Sequence, residues 1–226
     1  MTSRAKKITP TAPDVAFNID CTECKRLAQF LTDVRVRYPS YHARPVAPFG
    51  VAQPEVLIVG LAPGLHGANA TGRPFTGDYA GVLLYQTLFD FGFATQPIGN
   101  RPDDGLKLRR ARITNAVKCV PPENKPTPAE IAQCNHYLRC ELNGLREGVV
   151  VVALGSIAHG AVLRAYGLKP SSAKFAHGAV HPLPGDRHLV DSYHCSRYNT
   201  QTKRLTPDMF ADVFRRVVSL LPKARG

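Results

Sequence analysis

Residues 55–81 read EVLIVGLAPGLHGANATGRPFTGDYAG, and this stretch decides the fold. Val56 to Val59 is an unbroken apolar run without alternation, as a strand buried on both faces of a parallel sheet requires. It ends in a glycine-rich loop carrying His66, Asn69, Arg73, Phe75 and Asp78. Residues 81–91 then place Val82, Leu84, Tyr85, Leu88 and Phe89 at helical spacing. Strand, polar loop and helix in succession is how an α/β protein presents chemistry at the carboxyl end of a strand. Glycines after a strand often cradle phosphate, but GLAPG is neither a Walker loop nor a G-x-G-x-x-G fingerprint. That argues against a nucleoside-triphosphate or dinucleotide site. Phe75, set among Gly, Asn and Arg, is as well suited to stacking on a base as to filling a core.

Outward from this stretch, the pattern repeats. Further strands are expected at 111–117, 149–154 and 188–192, each a short apolar run between polar connections. Helices are expected at 20–37 with Asp20 as N-cap, from Thr127 with a Thr127/Glu130 capping box, at 157–166, and at 206–221 with Thr206 as N-cap and Pro207 at the first position. The segments 38–54, 97–110 and 171–187 read as loops rich in proline, glycine or charge. Four strands alternating with helices predict a three-layer α/β/α sandwich with a central, mostly parallel four-stranded sheet. We expect residues 1–15 to form a flexible basic tail and residues 16–226 a single domain, the length being right for one core.

With 226 residues and 44% hydrophobic content the chain is globular, and its formal charge of +12 favours a polyanionic partner, nucleic acid first. Arg4, Lys6 and Lys7 of the tail supply three of those charges, so the excess sits mainly on the folded part. No apolar run approaches the roughly 20 residues of a membrane helix, and the N-terminus lacks a secretory apolar core. A cytoplasmic location is expected.

In that setting the six cysteines are not read as disulfides. Cys21 and Cys24 form a C-x-x-C, and with Cys119 and Cys134 they make a two-plus-two thiol set. The spacing is compatible with zinc and with a [4Fe–4S] cluster alike. A redox C-x-x-C explains neither Cys119 nor Cys134. Strand ends supply the other polar candidates: Asn115 lies near the end of RITNAV, and His194 follows the last strand. In a parallel sheet these ends share one edge with the glycine-rich loop, so all three can meet in one pocket.

Three segments carry a family resemblance: GLAPGLHGANATGRPFTGD, ITNAVKCVPPENKPTP and SYHCSRYNTQTKRLTPDMF. Together they resemble the uracil-DNA glycosylase superfamily, and within it the iron–sulfur-containing family 5 (type B) enzymes. The likeness runs from Cys21 to Phe210. Family 4 relatives carry GEAPG at the first motif, whereas this chain has Leu61 in place of the acid. The resemblance implies a DNA repair hydrolase that flips uracil from DNA and cleaves its N-glycosidic bond, leaving an abasic site. Hypoxanthine and xanthine are further candidate bases. The alternative is a DNA-damage-binding module of the same fold with weakened catalysis.

By the same resemblance, Gly60, Ala62 and Asn69 surround the base and Phe75 stacks on it. Asn115 reads the base edge and His194 donates a hydrogen bond near O2. Asp78 positions water or stabilises the cationic sugar, although it is equally placed to cap the following helix. His66 and Asn69 order water or backbone. Arg197, Tyr198 and Asn199 enter the DNA groove, and Lys203 and Arg204 meet phosphates. Cys21, Cys24, Cys119 and Cys134 hold a [4Fe–4S] cluster, with zinc as the alternative. The expected protein is a monomer that binds DNA.

Overall fold

The four apolar runs become the four central strands of one sheet. In the computed structural model, which describes residues 17–222, they are β2 (Val56–Gly60), β3 (Ala111–Asn115), β4 (Val150–Leu154) and β6 (Arg187–Ser192). These run parallel in the order β3-β2-β4-β6, with Gly60 opposite Asn115 and Leu154 opposite Ser192. The expected tail, residues 1–15, lies outside the described residues.

The sheet has six strands rather than four. β1 (Phe49–Gly50) pairs antiparallel with β3, and β5 (Val180–Leu183) pairs antiparallel with β6. Both lie in segments read as loops. β5 is the sequence VHPL between glycines and prolines, and a proline is tolerated in a strand mainly at a sheet edge. The architecture is therefore α/β with a mixed sheet, parallel at its centre and closed by two short antiparallel edges.

Alternate residues of each central strand face opposite layers. Val56 and Ile58 pack with α3 (Tyr79–Asp90) and α7 (Pro207–Leu220). Leu57 and Val59 pack with α4 (Pro128–Asn143) and α5 (Ser156–Ala165). α7 docks through Phe210, Val213, Phe214 and Val217, an i, i+3, i+4, i+7 stripe. Burying each such side chain contributes about 1.5–3 kcal/mol. Thr206 caps α7 by accepting from the Met209 N–H at 3.2 Å.

A smaller apolar cluster lies beside the sheet, where α1 (Lys25–Arg37) sets Leu27 and Leu31 against Val117, Val120 and Tyr137. α1 begins later than expected: Cys24 is its N-cap position, and Asp20 sits in a preceding turn. The cysteine pair therefore precedes the helix instead of opening it. The Thr127/Glu130 capping box is present, and Glu130 also takes a bidentate pair from Arg26 of α1 at 2.8 and 2.7 Å. No helix among the described residues is long and apolar enough to cross a membrane.

Candidate active site

The carboxyl ends of β2, β3 and β6 meet around a cavity of about 460 Å³. Ala62, Phe75 and Asp78 reach it from the glycine-rich loop, Asn115 from β3, and His194 and Arg197 from the segment after β6. Six of the expected site residues are thus gathered at one place, as the shared sheet edge requires.

Close packing explains the glycines. A Cβ on Gly60 would collide with the Asn115 amide oxygen and come within 2.8 Å of the Phe75 ring. Gly60 is therefore the floor that lets Phe75 and Asn115 approach each other. A Cβ on Gly67 would fall on the Asp78 carboxylate. Gly60→Ala is expected to narrow this cavity and raise KM for the substrate turned over there at least tenfold, while the melting temperature falls only modestly. Steady-state kinetics with a calorimetric melt checks this; unchanged KM would remove Gly60 from the pocket.

Phe75 holds a left-handed backbone, φ 58°, and is buried with its ring lying near-parallel to His194, centroids 6.1 Å apart and 28° between planes. Backbone strain in a bulky residue persists only where the surroundings enforce it, and such sites concentrate where function needs a fixed side chain. Asn115 is 3% exposed, and its Oδ1 is buried with no hydrogen-bond partner. An unpaired buried acceptor costs about 1–3 kcal/mol. One that lines a cavity can recover that cost from a ligand N–H.

Asp78 occupies the N-cap position of α3, but its carboxylate makes no cap bond. It turns back across the loop instead, where Oδ2 accepts the Ala68 N–H at 3.0 Å. Burial raises its pKa above the ordinary carboxylate value, and the Ala68 bond opposes part of that rise. Leu61 and Ala62 bring no acid, so Asp78 is the one carboxylate among the described residues lining the cavity. His194 is desolvated at the cavity wall, which lowers its pKa to about 4. Its ring is neutral at physiological pH.

Two of the expected contact residues also bond within the protein. Asn69 is fully buried, its side-chain amide donating to the Leu65 carbonyl at 3.4 Å and its backbone carbonyl accepting from the Ala43 N–H. These bonds order the loop, and its Oδ1 is buried without a hydrogen-bond partner. Asn199 turns inward, its amide donating to the His194 carbonyl at 2.8 Å, because residues 197–201 wind into a short helix, α6 (Arg197–Gln201). Of the remaining groove candidates, Tyr198 is 69% exposed, and Lys203 and Arg204 are exposed where α6 meets α7. Arg197 stacks its guanidinium over the Tyr79 ring at 4.9 Å. His66 is exposed on the loop, its Nδ1 2.9 Å from the Tyr41 hydroxyl.

Asn124 and Tyr79 line the cavity and were not anticipated. Asn124 follows two prolines in the left-handed region, φ 57°. Asparagine tolerates that conformation better than most residues, a signal legible in PPEN.

The four cysteines of the two-plus-two set surround one small void between α1, the loop after β3 and α4. Lys118 donates its backbone N–H to Cys134 Sγ at 3.3 Å. Its side chain is buried, with Nζ on Thr114 Oγ1 and Glu141 Oε1, each at 2.5 Å. Among the described residues, the one trio of candidate ligand atoms lying within 4.8 Å of one another is His159, His181 and Asp191. Four thiols lining one void suit a [4Fe–4S] cluster and a tetrahedral zinc alike.

Comparison with known proteins places these features in a family. A family model for the Uracil DNA glycosylase superfamily matches residues 47–218. A type-5 uracil-DNA glycosylase of Thermus thermophilus is 48% identical over 198 residues, 85% of this chain and 90% of that protein. One from Pyrobaculum aerophilum is 42% identical over 89% of each chain. A type-4 uracil-DNA glycosylase of Archaeoglobus fulgidus is 32% identical over 59% of this chain and 60% of its own length. A match spanning most of the sheet, the cavity and the segment after β6 carries one conclusion: the chain belongs to the uracil-DNA glycosylase superfamily, among its type-5 members.

Proposed function

We propose that the protein excises uracil from DNA by hydrolysing the N-glycosidic bond. The observation that carries this reading is the unpartnered Asn115 Oδ1 at a cavity that also holds a desolvated acid and a neutral imidazole. A free acceptor favours a base presenting N–H at that point. Uracil offers N3–H there, whereas cytosine offers a bare N3 lone pair. Hypoxanthine and xanthine share uracil's N–H beside a carbonyl, so they belong to the proposed substrate range.

In this mechanism the base leaves the stack, at a cost of a few kcal/mol, and lies against Phe75. The C1′–N bond breaks with its electron pair passing to the base, so negative charge grows on the leaving base and positive charge on the sugar. His194 donates a hydrogen bond to the growing charge near O2, which a neutral ring can do. Asp78 stabilises the cationic sugar and receives the proton of the water that adds at C1′. Asn124 offers a second amide to that water from the facing loop. Tyr198 fills the gap left in the duplex with Arg197 beside it in the groove, and Lys203 and Arg204 meet backbone phosphates.

The thiols of Cys21, Cys24, Cys119 and Cys134 are assigned a [4Fe–4S] cluster, which supplies cross-links between α1, α4 and the loop after β3 and takes no part in bond cleavage. We further read residues 16–226 as one domain, monomeric and cytoplasmic.

A base-release panel with uracil, hypoxanthine, xanthine and thymine mispairs, followed by alkali cleavage, tests the function. Intact strands with every single- and double-stranded substrate would overturn it. His194→Ala is expected to lower kcat for uracil about 10²–10³-fold, the usual effect of removing one donor to a developing anion. Because the ring stays neutral above about pH 4, it should contribute no acid limb near neutrality. A His194→Ala enzyme as fast as the wild type would remove His194 from the chemistry.

A further inference from the structure

The His194 ring makes no side-chain hydrogen bond among the described residues, and burial alone accounts for its lowered pKa. Its direction is therefore set by packing against Phe75 and by the backbone that carries it. On one side, Asn199 holds the His194 carbonyl. On the other side, Tyr193 precedes it, and the Tyr193 N–H donates to His177 Nδ1 at 3.1 Å. The two rings also stack, with centroids 4.9 Å apart and 16° between planes. The Arg204 guanidinium lies 4.8 Å from the centroid of the same Tyr193 ring.

We propose that His177 is a positioning residue for His194, holding the Tyr193 backbone and ring so that the imidazole faces the departing base. This rests on the uracil-excision reading above. His177 belongs to a segment of 173–181 that an unusual buried network anchors. Asp191, fully buried on β6, accepts from His159 Nδ1 at 2.8 Å, from His181 Nε2 at 3.0 Å and from the Ala176 N–H at 3.3 Å. His159 also sets its Nε2 against the Ala173 carbonyl at 3.1 Å. The backbone adds Gly178 N–H to the Asp191 carbonyl and Asp191 N–H to the Ala179 carbonyl. The segment is thus pinned at Ala173, Ala176, Gly178, Ala179 and His181, with His177 between the pins.

The same three side chains have the composition of a metal site, but they are already used. Separations of 2.8 and 3.0 Å are hydrogen-bond lengths, and the Ala176 N–H occupies a further acceptor position. The network is a clamp, and it needs no ion to be satisfied.

His177 must be neutral at Nδ1 to accept an N–H. Burial lowers its pKa below the ordinary histidine value, a hydrogen bond to the Met209 backbone opposes this, Arg216 of α7 adds to the lowering, and Asp212 of α7 counters it. The acceptor is therefore available at neutral pH.

The test compares His177→Leu with His177→Asn, whose amide oxygen can take the Tyr193 N–H. His177→Leu is expected to lower kcat for uracil release about tenfold to a hundredfold, with KM within about threefold, because a displaced group costs rate more than binding. His177→Asn should recover most of kcat. Hydrogen exchange of the Tyr193 amide is read alongside, without substrate. It should be slow in the wild type and His177→Asn and at least tenfold faster in His177→Leu. A His177→Leu enzyme with wild-type kcat, or a Tyr193 amide equally protected in all three proteins, would overturn the proposal. A wild type that releases no uracil would count against the excision reading, and the exchange rates would still decide the clamp.

Discussion

Asp78→Asn is expected to reduce uracil release by about 10²–10⁴-fold without destabilising the fold, the range general acid–base groups contribute. Asparagine keeps the size of the side chain and an oxygen for the Ala68 N–H, so the loop should retain its shape. Only the negative charge is lost. The sign of the stability effect separates this from simple damage. Burial raises the Asp78 pKa above 3.8, so between that value and the folded pKa the native state binds a proton that the unfolded chain has released. Stability contributed by this group is therefore present at low pH and is lost as pH rises through the window. At neutral pH the ionised, desolvated carboxylate is a burden on the fold, and Asp78→Asn should melt no lower than the wild type. The wild-type rate should fall on the acid side as Asp78 protonates, and this limb should vanish in the variant. A variant that keeps wild-type kcat would remove the acid from the mechanism. One that loses both rate and melting temperature would mark Asp78 as a structural residue of the loop.

Much of this site was legible because periodicity and strand ends are local signals. Val56 to Val59 and Val149 to Leu154 can hardly be anything but buried parallel strands, and such strands bring Asn115, His194 and the glycine-rich loop to one edge. The Thr127/Glu130 capping box is equally local, needing only residues three apart. What escaped was set by tertiary geometry. β5 hides behind Pro182 and the flanking glycines because an edge strand can omit one N–H from its ladder. Asn69 and Asn199 have the composition of binding residues, but the direction of an amide depends on where the loop folds, and both donate within the protein. The Asp191 network joins residues from α5, β5 and β6 that no spacing rule connects. Its partners look like unrelated histidines until the sheet assembles.

Cys119→Ser is the second variant with a large expected effect, and it acts on folding first. α1 buries only Leu27, Leu31 and Val34, a small apolar contribution for a thirteen-residue helix. Beyond that, it is held by the Arg26–Glu130 pair, by the Arg26 bond to the Lys125 carbonyl at 3.2 Å and by the Arg35 bond to the Ala43 carbonyl at 2.8 Å. Arg26 is substantially exposed, so solvent screens its pair and little stability comes from it. Four metal–thiolate links would supply far more, since structural metal sites contribute on the order of 10 kcal/mol. Losing one ligand should abolish iron and sulfide binding, remove the visible absorbance shoulder, and lower the melting temperature by roughly 10–20 °C. The damage should then reach the site. Cys119 lies between Asn115 and Asn124 on one connection, and Lys118 fastens that connection to Cys134 through its backbone and to Glu141 through its side chain. Uracil release should therefore fall together with the melting temperature. Cys195→Ser is the control, because Cys195 is fully buried in the main core beside His194 and away from the four-thiol void. It should keep its iron. A Cys119→Ser protein with full iron content would exclude this residue as a ligand, and a colourless, zinc-loaded wild type would replace the cluster with a single ion.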